Sequence, residues 1–526
     1  MSELVLYNAH IHTLDAARPT AQAIAIRDNV IVAVGDNSLV QRLSTNAAMI
    51  DLQGRCVLPG LIDAHLHAEW TSLGLKNIDA ETPTLDEVLR RVAERAALTP
   101  KNQWLRGHGW NQNVWGGNFP TKADLDRVAP EHPVYLTAKS GHAGWANSIA
   151  LKLAGISATT SNPANGEIVR DQAGEPTGIF LEDAMKLIED KLPDISAPQV
   201  AEAMRDMLPL MHRAGLTGLH DFDGARALQA WQILKENGEL RLRVSKTIPV
   251  YLLEHAIALG LRSGFGDDWL RLNSVKAFAD GALGPQTALM IEPYEGSKSN
   301  RGIVVTDKEE LFENVRKASA AGLSSTIHAI GDKANHDVLD VFAMVRHEEP
   351  TRRLRHRIEH VQLLHPDDFQ RLAQLNVIAS MQPIHATSDM LMADKYWGAR
   401  SAGAYAWRTQ LNAGATLTFG SDAPVESFNP FLGIHAAVTR RRTDGTPNDN
   451  GWYPDQRLSV EEAVRGFTLG AAYASYEEHR KGSLTPGKLA DLIVLDRDIY
   501  AIDPMAIAET QVLGTLIDGK WMHRAF

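Results

Sequence analysis

Eight short apolar stretches, separated by amphipathic ones, constrain this 526-residue chain more than any other feature. They fall at residues 56–67, 134–142, 215–221, 273–281, 325–332, 357–361, 378–383 and 417–424. Short apolar stretches of this kind read as strands buried on both faces. The intervening helices have recognisable starts. Thr84-Leu85-Asp86-Glu87 has capping-box spacing before a helical period that runs to Leu98. Ser459-Val460-Glu461-Glu462 does the same before an Ala-rich helix ending near Tyr476, and residues 307–321 and 366–375 are amphipathic. Strand–helix alternation repeated eight times predicts an α/β protein, a (β/α)8 TIM barrel. In that fold the active site collects polar residues from the C-terminal ends of several strands.

The polar residues in these strands are of one kind. His65 and His67 lie two apart in the first stretch, and residues i and i+2 of a strand share a face. Two neutral imidazoles aimed at one point make half a site for Zn, Fe, Ni or Mn. His10 and His12 repeat the spacing after the apolar residues Leu4-Val5-Leu6-Tyr7. They are read as structural, because what distinguishes a site is whether the rest of the chain completes it. The later stretches do so for His65 and His67: Lys276 stands in the fourth, His328 in the fifth, His360 in the sixth and Asp422 near the end of the eighth. His142 and His220 close the second and third, and the seventh carries no residue of ligand type.

This constellation resembles the amidohydrolase superfamily. The local segments Val275-Lys276-Ala277-Phe278-Ala279-Asp280-Gly281, Ile327-His328-Ala329-Ile330-Gly331-Asp332, Arg357-Ile358-Glu359-His360 and Gly420-Ser421-Asp422-Ala423-Pro424 are similar to the branch that includes N-substituted formamide deformylases and exoenzyme-regulatory proteins. The similarity covers essentially the whole chain. It implies one or two divalent ions, Zn ahead of Fe, Mn or Ni. His65, His67 and Asp422 would hold the more buried ion, and His328 and His360 the more exposed one. An ammonium cannot ligate, but a buried lysine with a lowered pKa reacts as the free amine. The resemblance implies a CO2-derived carbamate on Lys276 that bridges two ions, against an unmodified lysine beside one.

The chemistry expected is attack of metal-activated water on a carbonyl. Asp422 would take the proton from the water and pass it to the leaving nitrogen. His142 is the candidate oxyanion donor, and His220 a further catalytic candidate. Glu182, Gln382, His385 and Arg408 are candidate substrate contacts. Glu359 is expected on the opposite face from His360, paired with an arginine. The leading reading is cleavage of a C–N bond in an amide or N-substituted formamide. Ester, carbamate or lactone hydrolysis is the alternative, with a metal-dependent decarboxylase or isomerase behind it.

Composition sets the outer bounds. With 44% hydrophobic and 22% charged residues this is an ordinary globular chain. A net charge of −11 without a long basic segment argues against nucleic acid or an anionic membrane as partner. Cys56 is the single cysteine, so disulfides within the chain and a Cys-based zinc site are excluded, and its apolar neighbours make it a buried thiol. No signal peptide and no apolar span is expected, so the default is a cytoplasmic enzyme of small molecules, with a homodimer as the expected state. Residues 1–58 and 483–526 read as strands and turns that pair into one discontinuous β-sandwich, leaving 59–482 for the barrel. Long insertions are expected after strands one and two, over the site. The Trp-rich segment 107–117 suggests a pocket for an aromatic or apolar N-substituent.

Overall fold

The computed structural model describes residues 3–43, 47–112, 114–138, 143–163 and 166–526. Its centre is a (β/α)8 barrel. The strands are β1 (Leu61–Leu66), β2 (Leu216–Asp221), β3 (Arg243–Pro249), β4 (Leu270–Phe278), β5 (Ser324–Ala329), β6 (Arg357–His360), β7 (Ile378–Met381) and β8 (Leu417–Phe419). They pair in that order, all parallel. Every residue of β1, β2, β6, β7 and β8 is buried, as parallel strands covered on both faces require. Helices follow the strands in turn, among them Ala225–Glu236 after β2, Lys308–Ala320 after β4, Asp332–Glu348 after β5 and Pro383–Trp397 after β7.

The ladder does not continue from β8 back to β1. That seam is closed instead by the chain just beyond β8. Asp422 N donates to His65 O at 2.7 Å, and His67 N donates to Ala423 O at 2.9 Å. The buried Asp63 carboxylate of β1 accepts from Ser421 N at 3.0 Å and from Ser421 Oγ at 2.5 Å. A side chain at Gly420 would collide with the backbone of His65 and with Asp63 Oδ1, so the seam admits only glycine there.

Two strand assignments made from the sequence are corrected. Val134–Ala138 is not a barrel strand. It lies in a six-stranded sheet with Ile78–Asp79, Leu105–Trp110, Ala143–Ala146, Pro176–Glu182 and Gly166–Arg170, inside a separate compact unit, residues 72–199. Its place in the barrel sequence is taken by segments further along, and the third strand is Arg243–Pro249. The two expected insertions are therefore one, between β1 and β2. The missed strand was hidden by its charges, Arg243 and Lys246, both buried and both satisfied. Arg243 forms a two-pronged pair with Asp491 (2.6 and 2.9 Å), while Lys246 Nζ donates to the main-chain carbonyls of Asp221, Asp223 and Thr247. The tryptophans of segment 107–117 also have a different job. Trp110 is fully buried against Trp115 and Trp145, and its Nε1 donates to Leu136 O, so it forms the core of the 72–199 unit.

The two ends of the chain supply two further sheets. One orders Val30–Gly35, Ala23–Arg27, Glu3–Tyr7 and Ala48–Asp51; the other orders Lys520–Arg524, Val512–Ile517, Leu492–Leu495, Cys56–Pro59, His10–His12 and Thr20–Ala21. Leu6, Ile24 and Ile31 of the first share one apolar core with Val57, Leu492 and Leu516 of the second. The Arg243–Asp491 pair ties this region to β3. Among the described residues no helix is long and apolar enough to cross a membrane.

Removing one partner of a buried ion pair strands the other charge. Asp491→Ala is expected to destabilise the protein by about 3–5 kcal/mol. The double variant Arg243→Met/Asp491→Leu should recover most of that loss, as read from urea unfolding midpoints.

Candidate metal centre

At the C-terminal end of the barrel, His65 of β1 and His67 just beyond it reach toward Asp422. Both imidazole Nε2 atoms lie 3.4 Å from Asp422 Oδ1. His360 from β6 and His328 from β5 complete the cluster, with ring centroids 4.9 Å from His65 to His360 and 4.6 Å from His360 to His328. Ligand atoms of His65, His360 and Asp422 all fall within 4.8 Å of one another. Lys276 of β4 is buried, its Nζ 5.0 Å from the ring centre of Phe222, which stacks on His65 at 3.9 Å.

What makes the four imidazoles ligand-ready is the state of their other nitrogens. His65 Nδ1 donates to Glu359 Oε2 at 2.6 Å, His67 Nδ1 to Asp223 Oδ1 at 3.0 Å and His360 Nδ1 to Gln382 Oε1 at 2.8 Å. His328 is reversed: its Nε2 donates to the main-chain oxygen of Gly281 at 2.9 Å. Each partner oxygen accepts only, so the proton sits on that nitrogen and the lone pair on the other. Three rings thus offer Nε2 and one offers Nδ1. Oxygen acceptors behind ligating histidines orient the ring and raise its basicity.

The backbone contributes as well. His360 and Asp422 both adopt left-handed φ, +77° and +61°. Such conformations cost on the order of 1 kcal/mol for residues other than glycine and concentrate at functional sites. The φ of His360 also explains why strand alternation misplaced Glu359. The break in the extended chain lets neighbouring residues 359 and 360 both serve the cluster. Glu359 does pair with an arginine, as expected, since Arg357 Nε donates to its Oε1, but its other oxygen holds His65.

A match to the amidohydrolase family extends over residues 48–523. The chain belongs to the amidohydrolase family. This amidohydrolase is 34% identical to Protein LONG AFTER FAR-RED 3 of Arabidopsis thaliana, over 99% of its own length and 92% of that protein's. It is 31% identical to the N-substituted formamide deformylase of Arthrobacter pascens, over 99% and 98%. Among solved structures, an uncharacterized metal-dependent hydrolase from Pyrococcus horikoshii superposes with a TM-score of 0.82 at 27% identity, covering 96% of this chain and 99% of that one. The protein is thus a hydrolase on a TIM barrel.

Electrostatics at the site follow from burial. Burial pushes His65 down to about 4 and His328 to about 3, and holds His360 well below its ordinary value, so all three are neutral. Burial opposes charge on His67 too, but its hydrogen bonds to Asp223 and Asp422 outweigh that and lift it to about 9, so His67 is cationic near neutral pH and would offer its Nε2 lone pair only by giving up that proton on metal binding. Burial also disfavours the Asp422 carboxylate, yet His65, His385 and His67 around it keep it well below the usual carboxylate range. Lys276 is lowered to about 8, chiefly by burial.

The remaining sequence candidates fall elsewhere in the amidohydrolase. His220 is buried, and its Nδ1 accepts from Arg357 Nη1 at 2.9 Å, so it supports the Arg357–Glu359 pair. Gln382 holds His360, as described. His385 Nε2 lies 3.4 Å from Asp422 Oδ2, on the side away from the His65 and His67 pair. Arg408 pairs with Glu462 at 2.8 Å, outside the site. His142 and the side chain of Glu182 lie outside the described residues. Asp223 was missed: it follows β2 in a loop, where no periodicity marks it.

Asp223→Asn and Gln382→Ala are each expected to weaken metal retention about 10–100-fold, measured by competition with a chelator. Arg408→Ala should leave it unchanged.

Proposed function

We propose that this amidohydrolase cleaves the C–N bond of a small amide or N-substituted formamide, using one or two divalent ions, zinc foremost. His65, His67, Lys276, His328, His360 and Asp422 would hold the metal. The observation that carries the reading is the cluster of four imidazoles, each with one nitrogen engaged by an oxygen acceptor, and with the Nε2 atoms of His65 and His67 3.4 Å from Asp422 Oδ1. Such donors suit a borderline divalent ion. When bound, the metal supplies a nucleophilic water near neutral pH and polarises the substrate carbonyl.

The chain's own residues do the rest. Asp422 accepts the proton of the attacking water and returns it to the leaving nitrogen, the step an amine needs because it is a poor leaving group. Glu359, Asp223 and Gln382 fix the imidazole planes. Lys276, lowered to about 8, is in part free amine at neutral pH. We assign it as the site of a carbamate, formed when the amine adds to CO2 and releases one proton; the resulting anion is a ligand where the ammonium is not. The preference for a C–N bond is supported by the relative from Arthrobacter pascens, named for deformylation of N-substituted formamides and aligned along nearly the whole of both chains.

The test is elemental analysis combined with amine release from a panel of N-alkyl and N-aryl formamides. About two metal equivalents, reduced in Lys276→Ala, are expected for a bridged pair. Asp422→Asn should lower kcat on formamides by about 10²–10⁴-fold. Well-folded protein that holds metal and hydrolyses esters, but releases no amine from any amide, would overturn the bond assignment. Folded protein that never carries metal would overturn the reading as a whole.

A further inference from the structure

A second group of ligand-type side chains lies in the terminal sheets. From the sequence His12 reads as structural and Cys56 as a buried thiol with no part in a zinc site. The sheet brings them together. His10–His12 and Leu492–Leu495 flank Cys56–Pro59 on either side, with Cys56 opposite His10 in one ladder and opposite Leu495 in the other. Just past Leu495 the chain turns and delivers Asp498. His12 Nε2 is 2.9 Å from Asp498 Oδ1, and Cys56 Sγ is 3.7 Å from the same oxygen. The three ligand atoms lie within 4.8 Å of one another.

We propose that His12, Cys56 and Asp498 form a second metal site, for a borderline divalent cation such as Zn, Co or Ni. Tetrahedral zinc with its usual bond lengths of about 2.3 Å to sulfur and about 2.0–2.2 Å to nitrogen or oxygen separates a sulfur from an oxygen ligand by about 3.6 Å, and a nitrogen from an oxygen by about 3.4 Å. The observed sulfur–oxygen separation of 3.7 Å is already of that size, and the nitrogen–oxygen pair at 2.9 Å needs to open by a few tenths of an ångström. The donors are pre-oriented. The Tyr500 ring stacks on the His12 imidazole at 3.8 Å and 9°, and Tyr500 N donates to Asp498 Oδ1 at 3.0 Å. Cys56 is buried, while the His12 and Asp498 side chains stay partly exposed, at 17% and 27%, and His12 lines an open cleft of about 620 Å³ with Asn8, His10, Arg18 and Gln22. A thiolate among the ligands selects against Mg and Ca. Ligation converts the Cys56 thiol to a thiolate and releases one proton to solvent. This site is independent of the catalytic centre, which contains no sulfur.

Because Cys56 is the only cysteine in the chain, the test has a signature of its own. Full-length protein is prepared from cobalt-supplemented cells and titrated with Co(II). A thiolate-to-cobalt charge-transfer absorption is expected in the near ultraviolet, saturating at one equivalent per chain with release of one proton. Cys56→Ser should abolish the band. His12→Ala should weaken cobalt binding there at least about tenfold, in line with the loss of a direct ligand. Asp422→Asn should leave the band in place. Wild-type protein that shows no such band at saturating cobalt overturns the proposal, whatever the variants do. A band of undiminished affinity in His12→Ala also overturns it, since it would reduce the site to a lone thiol.

Discussion

The amidohydrolase centre depends on how the barrel is closed. Seven of the eight strand boundaries are ladders of main-chain hydrogen bonds, but the eighth, between β8 and β1, is made by a carboxylate and a few loop amides. Asp63 is buried and gripped by Ser421, and the same seam carries His65 and His67 on one side and Asp422 on the other. The seam therefore fixes the separation between the imidazole pair and the carboxylate. The narrow contact at Gly420 and the left-handed backbone at Asp422 are the local means by which it does so.

Buried charge is the second organising element. Arg357 and Glu359 are almost wholly enclosed, and so are Arg243 and Asp491. Taking such groups out of water is costly, and the attraction between partners offsets it only where geometry is good and the remaining hydrogen bonds are satisfied. Both arginines meet that condition. Arg357 also donates to Ala64 O and Ser380 Oγ, and Arg243 also donates to Asp268 O. Each pair uses its charge to specify position: one sets the plane of His65, the other docks the terminal sheets on β3.

The clustering of the candidate ligands was legible because it is written in short strands, where two-residue spacing and strand-end position are sequence properties. His65, His67, Lys276, His328, His360 and Asp422 all belong to that class. The residues that orient them were not legible to the same degree. Asp223 lies in a loop, and Gln382 reads as one more polar residue after a strand. Glu359 was sent to the wrong face because alternation assumes an extended backbone, which fails at His360. Likewise Arg243–Pro249 was passed over because its charges look solvent-seeking until their partners, far away in sequence, are known. The segment 134–138 reads as a barrel strand because a buried central strand of a mixed sheet has the same composition.

The reversed ring of His328 carries a consequence for how such a centre tolerates change. An asparagine places its amide oxygen near where a histidine holds Nδ1, whereas the longer glutamine reaches toward the position of Nε2. The cluster is therefore not a set of interchangeable histidines. At position 328 the shorter amide is the closer isostere, and at positions 65, 67 and 360 the longer one is. In drift or in design the four histidines would follow two different substitution grammars, set by which nitrogen the main chain and its neighbours have already claimed.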